Sequence, residues 1–177
     1  MTEQTRTLAG LQTALQMEND GKAFYLQASK ASTNPMGARL LKRLADEEDL
    51  HRQRFERIYR AIQTRKNWPE RSDFKPDAAR TLKTIFAEEA QKTGAKAKKG
   101  LATELEAVQT AINMEAKTYD FYKACGKSGT HVSEKEFYET VAREERGHQL
   151  VLLDYYEYLK DPGAWFVKAE HPSLDGG

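Results

Sequence analysis

Cysteine is nearly absent: the 177 residues contain one, Cys125. That excludes an intrachain disulfide framework and a Cys-x-x-Cys metal knuckle. With five prolines and little β-branched alternation, strands are not expected. No run approaches the roughly 18–20 apolar residues that a membrane-spanning helix requires. Neither charge dominates, with 28 basic against 27 acidic residues, which argues against a general nucleic-acid binder. The opening Met1-Thr2-Glu3-Gln4 has neither a basic n-region nor an apolar stretch, so no secretory signal is expected and a reduced, cytoplasmic setting fits. The chain is 39% hydrophobic and 31% charged, with a mean hydropathy of −0.79. This composition suits one soluble domain over residues 1–177, long enough to bury a core and short for two domains.

The chain repeats itself at an offset of 97 residues. Leu11-Gln12-Thr13-Ala14-Leu15-Gln16-Met17-Glu18 lies over Val108-Gln109-Thr110-Ala111-Ile112-Asn113-Met114-Glu115, and Phe24-Tyr25 over Phe121-Tyr122. At the same offset, Glu47-Glu48-Asp49-Leu50-His51 lies over Glu144-Glu145-Arg146-Gly147-His148. A gap-free match that keeps a Glu and then, thirty residues on, a Glu-x-x-His reads as two copies of one helical hairpin.

Helical periodicity marks four segments. Leu8, Leu11, Leu15, Glu18 and Tyr25 share a face over residues 5–32. Leu44, Glu48, His51, Phe55, Ile58 and Ile62 do so over 35–66. The second copy presents Leu105, Val108, Ile112, Glu115, Tyr119 and Tyr122 over 102–127, and Val141, Glu145, His148, Leu152, Tyr155 and Leu159 over 133–160. Asn34-Pro35 reads as an N-cap followed by proline at the first helical position. Ser133 with Glu136 reads as a capping box, and Asp161-Pro162-Gly163 ends the last helix. The expected architecture is all-α: a four-helix bundle of hairpin one (5–66) and hairpin two (102–160), joined by a long crossover (67–101). The crossover holds a short helix from Asp77 to about Thr93, with Leu82, Ile85 and Phe86 on one side. The lysine-rich stretch from Lys92 to Gly100 reads as a solvated hinge. In the tail (161–177), Trp165, Phe166 and Val167 are expected to pack on the bundle end, with His171 to Gly177 loose.

Each helix carries acid or imidazole on a stripe that should be apolar. A buried carboxylate without a partner costs several kcal/mol or is driven to its neutral form. Four of them together would repel one another, and a shared cation relieves both problems. Glu18 lies about 24 Å of helix from the turn after it, and Glu48 about 20 Å of helix beyond that turn, so an antiparallel pair brings them level. Glu115 and Glu145 repeat this arrangement. His51 and His148 sit three residues past their glutamates on the same face. Face-to-face hairpins therefore gather Glu18, Glu48, His51, Glu115, Glu145 and His148, the donor set of a dinuclear carboxylate-bridged metal site, as in ferritin-like di-iron and di-manganese bundles.

Met17-Glu18 with Tyr25, Glu47-Glu48-Asp49-Leu50-His51, Met114-Glu115 with Tyr122, and Glu144-Glu145-Arg146-Gly147-His148 resemble the rubrerythrin branch of the ferritin-like superfamily, over nearly the whole chain. The resemblance implies two iron ions, with Mn or Zn as possible replacements. It implies Glu18 and Glu115 as terminal or semi-bridging ligands, Glu48 and Glu145 as bridges, and one histidine on each metal. It implies a di-iron oxidoreductase that reduces hydrogen peroxide. A single cysteine leaves no rubredoxin domain, so electrons must come from a separate donor such as a rubredoxin. Thr118 stands where rubrerythrins tend to carry an extra Glu, a place that Glu88 or Glu89 of the crossover could fill. The alternatives are a ferroxidase for iron storage or detoxification using O2, an O2-activating oxidase, and a non-catalytic metal-binding bundle. A homodimer or larger assembly is expected, without nucleic-acid or membrane partners.

Several neighbours admit two readings. Tyr25 and Tyr122 either hydrogen-bond a ligand carboxylate and assist peroxide cleavage, or fill the core and reach another acceptor. Glu47 and Glu144 either orient a ligand histidine or sit on the surface. Lys22 either snorkels or pairs with an acid. His131 reads as an exposed turn residue, and Cys125, which matches Ala28 in the repeat, as a small core residue.

Overall fold

The structure is a computed structural model that describes residues 2–65, 68–69 and 102–170. Five helices make up this part: α1 (Glu3–Ala31), α2 (Pro35–Arg65), α3 (Ala102–Ser128), α4 (Val132–Lys160) and α5 (Pro162–Glu170). α1 and α2 form one hairpin and α3 and α4 the other. Across the hairpins α1 packs on α3 and α2 on α4, so the helices run α1-α2-α4-α3 around an all-α, ferritin-like four-helix bundle. The expected crossover helix, Glu88, Glu89 and the tail end 171–177 lie outside the described residues.

Local chemistry sets the turns. Asn34 caps α2 as expected, its Oδ1 accepting from Met36 N at 3.0 Å and Gly37 N at 3.4 Å. At the second turn the capping residue differs from the expected Ser133. His131 is the N-cap of α4, with its Nδ1 accepting from Ser133 N at 3.2 Å. An unprotonated imidazole nitrogen serves the same orphan amide that a serine hydroxyl would, so the cap sits two residues earlier. Asp161 ends α4 and also starts α5, accepting from Ala164 N at 3.1 Å. Trp165 and Phe166 then pack on the bundle end as expected, whereas Val167 is 63% exposed because it falls on the opposite side of the short helix.

The core divides in two. One apolar cluster gathers Tyr25, Leu44, Val108, Ile112, Leu152 and Tyr155, among others. The second gathers Leu11, Phe55, Ile58, Tyr122, Phe137 and Val141. Along every helix the polar positions fall between the two: Glu18 between Ala14 and Tyr25, Glu48 and His51 between Ala45 and Phe55, Glu115 between Ile112 and Tyr122, Glu145 and His148 between Ala142 and Val151. A polar layer is thus sealed above and below by hydrocarbon, which keeps water out and sets a low local dielectric.

One end of the bundle is tied by a buried acid outside that layer. Glu104, in the first turn of α3, accepts from the Tyr155 hydroxyl at 2.9 Å and from the Ser32 hydroxyl of the first turn. A Cβ on Gly37 would come within 1.8 Å of the Tyr155 hydroxyl oxygen. Gly37→Ala should therefore displace Tyr155 and destabilise the fold by about 1–3 kcal/mol, read as a lower midpoint in a thermal melt. An unchanged midpoint would show that Tyr155 is free to swing away.

Candidate metal centre

The polar layer holds six side chains from four helices. Glu18, Glu48, His51, Glu115, Glu145 and His148 are all buried, none more than 4% exposed. Their donor atoms form two overlapping groups, Glu18-Glu48-His51-Glu145 and Glu48-Glu115-Glu145-His148, with the atoms of each group within 4.8 Å of one another. Glu48 and Glu145 belong to both. The imidazoles of His51 and His148 lie parallel, 5.4 Å apart between ring centroids.

Hydrogen bonding in this layer is conspicuously incomplete. Glu18 Oε2, Glu48 Oε1, Glu115 Oε2, both Glu145 oxygens and the Nδ1 atoms of His51 and His148 are buried without a hydrogen-bond partner. His51 Nδ1 comes within 2.9 Å of Glu145 Oε1 and 3.4 Å of Glu18 Oε2, but without hydrogen-bond alignment. His148 Nδ1 lies 3.3 Å from Glu48 Oε1 and 3.6 Å from Glu115 Oε1. Buried polar atoms are otherwise almost always paired. Lone pairs converging from carboxylates and imidazoles suit a divalent cation of borderline hardness, so these groups are able to hold metal.

The titration behaviour has the same origin. Burial, and then Glu18 and Glu115, drive the Glu48 carboxyl well above the usual range; burial, Glu48 and Glu115 do so for Glu145. Burial alone would lower His51, but the Glu18 and Glu145 carboxylates outweigh it and raise it well above its usual value. Burial would raise Glu115, yet the His148 imidazole holds it below its usual value. Cationic charge at this point would favour the deprotonated form of every one of these groups.

The outer atoms are occupied. The Tyr25 hydroxyl donates to Glu115 Oε1 and the Tyr122 hydroxyl to Glu18 Oε1, leaving the second oxygen of each glutamate facing inward. Both phenols are buried and raised well above their usual values, by burial first and then by the neighbouring carboxylates. His51 Nε2 lies 3.1 Å from Glu144 Oε2, which also accepts from Arg54 at 2.8 Å. Burial would raise Glu144, but His51 and Arg54 bring it below the usual range. Gly21 faces Glu48 so closely that a Cβ there would come within 2.9 Å of Glu48 Oε2.

The rubrerythrin family model matches residues 10–156, a span that includes every one of these side chains. The chain belongs to the rubrerythrin family. No curated protein and no solved structure matches it.

In this rubrerythrin-family bundle all six sequence-derived donors come together in one layer. Of the paired acids, Glu144 reaches a histidine, while Glu47 pairs with Arg43 at 3.0 Å on its own helix. Lys22 pairs with Asp49 at 2.9 Å, across α1 and α2. Thr118 turns back on its own helix, donating to Met114 O at 3.0 Å. Cys125 is half-buried beside Tyr138, and burial pushes its thiol up. Sequence reasoning passed over Arg54, whose signal was present: it lies one turn past His51 on the same helix, and its counterpart in the repeat is Val151. Among the described residues no helix is long and apolar enough to cross a membrane.

Proposed function

We propose that residues 1–177 form one ferritin-like domain that binds two iron ions and acts as a rubrerythrin-type oxidoreductase, reducing hydrogen peroxide with electrons from a separate donor protein in the cytoplasm. The observation that carries the reading is the set of buried, unpartnered oxygens and nitrogens arranged in two groups that share Glu48 and Glu145. Glu18 and His51 would complete one metal position, Glu115 and His148 the other. Two ferrous ions, if bound there, would supply the two electrons that, with two protons, convert one peroxide to two waters. The chain's own part is to fix and shield. Tyr122 and Tyr25 hold the outer oxygens of Glu18 and Glu115, so the inner oxygens keep their aim. The two apolar clusters exclude water from the layer.

The His51 side is braced more firmly than the His148 side. Glu144, clamped by Arg54, fixes which His51 nitrogen carries the proton and leaves Nδ1 free for a metal. Glu144→Ala should weaken the tighter or looser of two binding steps by about 10–100-fold while sparing the other. Titration of the apoprotein with Zn(II) reads this, and equal weakening of both steps would place Glu144 outside the reading. A second copy of the chain is the expected partner, since Leu50, Leu150 and Leu153 are exposed on α2 and α4, which pack side by side. Sedimentation should show a dimer or a larger assembly.

The deciding experiment loads the apoprotein anaerobically with two ferrous ions per chain and compares oxidation by peroxide and by O2 in a stopped-flow spectrometer. Much faster oxidation by peroxide is expected. Faster oxidation by O2, with continued turnover of added iron, would replace the peroxidase reading with a ferroxidase.

A further inference from the structure

Beyond Tyr122 the aromatic side chains do not stop at the metal layer. The Tyr122 ring lies 6.0 Å from that of Tyr138 between centroids, and Tyr138 lies 6.1 Å from Trp68. Phe55 and Phe137 fill the sides, with Phe55 5.2 Å from Tyr122 and Phe137 6.1 Å from Trp68. These separations are those of aromatic rings in edge contact. Trp68 is half-buried and lines an open surface pocket of about 350 Å³ with Gln4, Ile62 and His131. The other end of the series touches the proposed ligands directly, through the Tyr122 hydroxyl on Glu18. The two tryptophans of the chain are themselves 97 residues apart, so Trp165 is the repeat counterpart of Trp68, and it too packs on a tyrosine, Tyr158, at 5.7 Å. Tyr138, by contrast, has Leu41 as its counterpart. The repeat itself therefore does not call for an aromatic ring at this position.

We infer that Trp68, Tyr138 and Tyr122 form a one-electron route between the protein surface and the carboxylate layer. The inference rests on the oxidoreductase reading above for its use, though not for its test. Electron tunnelling weakens exponentially with the gap between π-systems, and this series leaves no saturated gap between the surface pocket and Glu18. The redox-active ends are Trp68 and Tyr122. When the oxidant at the carboxylate layer, peroxide in the reading above, takes an electron from Tyr122, its hydroxyl proton passes to the Glu18 carboxylate that already accepts it, and it returns when an electron arrives from Trp68. Two such passages, with two protons from solvent, reduce one peroxide to two waters. The vacancy at Trp68 is filled by a one-electron donor reaching the surface pocket. Tyr138 keeps its proton, buried as it is against the Cys125 sulfur, and serves as the bridging ring. Phe137 and Phe55 widen the contact without titrating.

The test needs neither metal nor peroxide. In metal-free Trp165→Phe protein, a flash-quenched ruthenium polypyridyl oxidant takes one electron from Trp68, and transient absorption with electron paramagnetic resonance follows the radical. The tryptophan radical should give way to a tyrosyl radical, and Tyr122→Phe, which removes a single oxygen, should abolish most of that amplitude. Tyr138→Phe should leave the transfer rate nearly unchanged, whereas Tyr138→Leu should slow it by at least an order of magnitude. A tyrosyl amplitude untouched by Tyr122→Phe would overturn the route, as would equal rates in the Phe and Leu variants. Should Tyr138→Leu not fold, the Tyr122→Phe arm decides alone. Failure of the peroxide experiment with intact radical transfer would remove the peroxidase reading and leave the route standing.

Discussion

Raising the pH should destabilise the metal-free protein and, over the same range, strengthen its hold on metal. Glu48 and Glu145 have folded-state values raised above the ordinary 4.5. Above that point the unfolded chain ionises them while the folded core resists, so folding has to take up protons and its cost grows with pH. His51 and His148 are raised above the ordinary 6.5. Their stabilising contribution is complete below that value and is lost as the pH passes through the folded-state one. Glu115, shifted downward, acts in the opposite sense, but only below 4.5. The terms therefore agree in sign from weakly acid to weakly alkaline conditions. A cation reverses this dependence because it binds the deprotonated forms and expels their protons. Each ion at about a hundredfold excess over its Kd contributes about 2.7 kcal/mol, so filling both positions should raise the melting point by about 10–20 °C. Thermal melts in chelator and in saturating Zn(II), at about pH 5 and about pH 8, would show the two curves diverging. A metal-free protein that gains stability with pH would contradict the polar layer as described.

Much of this arrangement was legible because the sequence contradicts itself in a regular way. Glutamates on an otherwise apolar stripe cannot be explained one at a time, but the 97-residue offset fixes which four belong together, and helical rise puts them level. What stayed hidden depends on contacts between hairpins. Tyr25 lies seven residues past Glu18, about 10 Å along the helix, too far to bond the acid on its own helix. The structure resolves this by crossing over, with Tyr25 on Glu115 and Tyr122 on Glu18. Periodicity shows which face a side chain takes but not which neighbour it meets. Arg54 escaped for the same reason, since its partner Glu144 sits on the other hairpin. The His131 cap escaped because imidazole is an uncommon cap and a turn histidine looks like a solvent residue.

Losing one shared acid should cost far more metal than losing one unshared acid, and should leave the empty bundle more stable. Glu145 belongs to both donor groups and both of its oxygens are unpartnered, whereas Glu18 belongs to one group and has one oxygen committed to Tyr122. Glu145→Gln should therefore abolish tight binding of both ions, lowering affinity by more than two orders of magnitude. Glu18→Gln should spare one ion, held by Glu48, Glu115, Glu145 and His148. Stability should move the other way. Glutamine is close in shape to the protonated acid that burial, Glu48 and Glu115 favour at Glu145, but it carries no proton-uptake cost at neutral pH. Burial and the repulsion of Glu48 and Glu115 outweigh the attraction of His51 at this carboxyl, so removing the acid should stabilise the metal-free fold at neutral pH by about 1–2 kcal/mol. At about 2–4 °C per kcal/mol for a chain of this size, that gain is readily measured in the absence of metal. Metal stoichiometry by elemental analysis and melts in chelator check both halves together. If Glu145→Gln kept one tight ion, Glu145 would be a ligand of a single metal, and the shared-bridge reading of the two groups would fail with it.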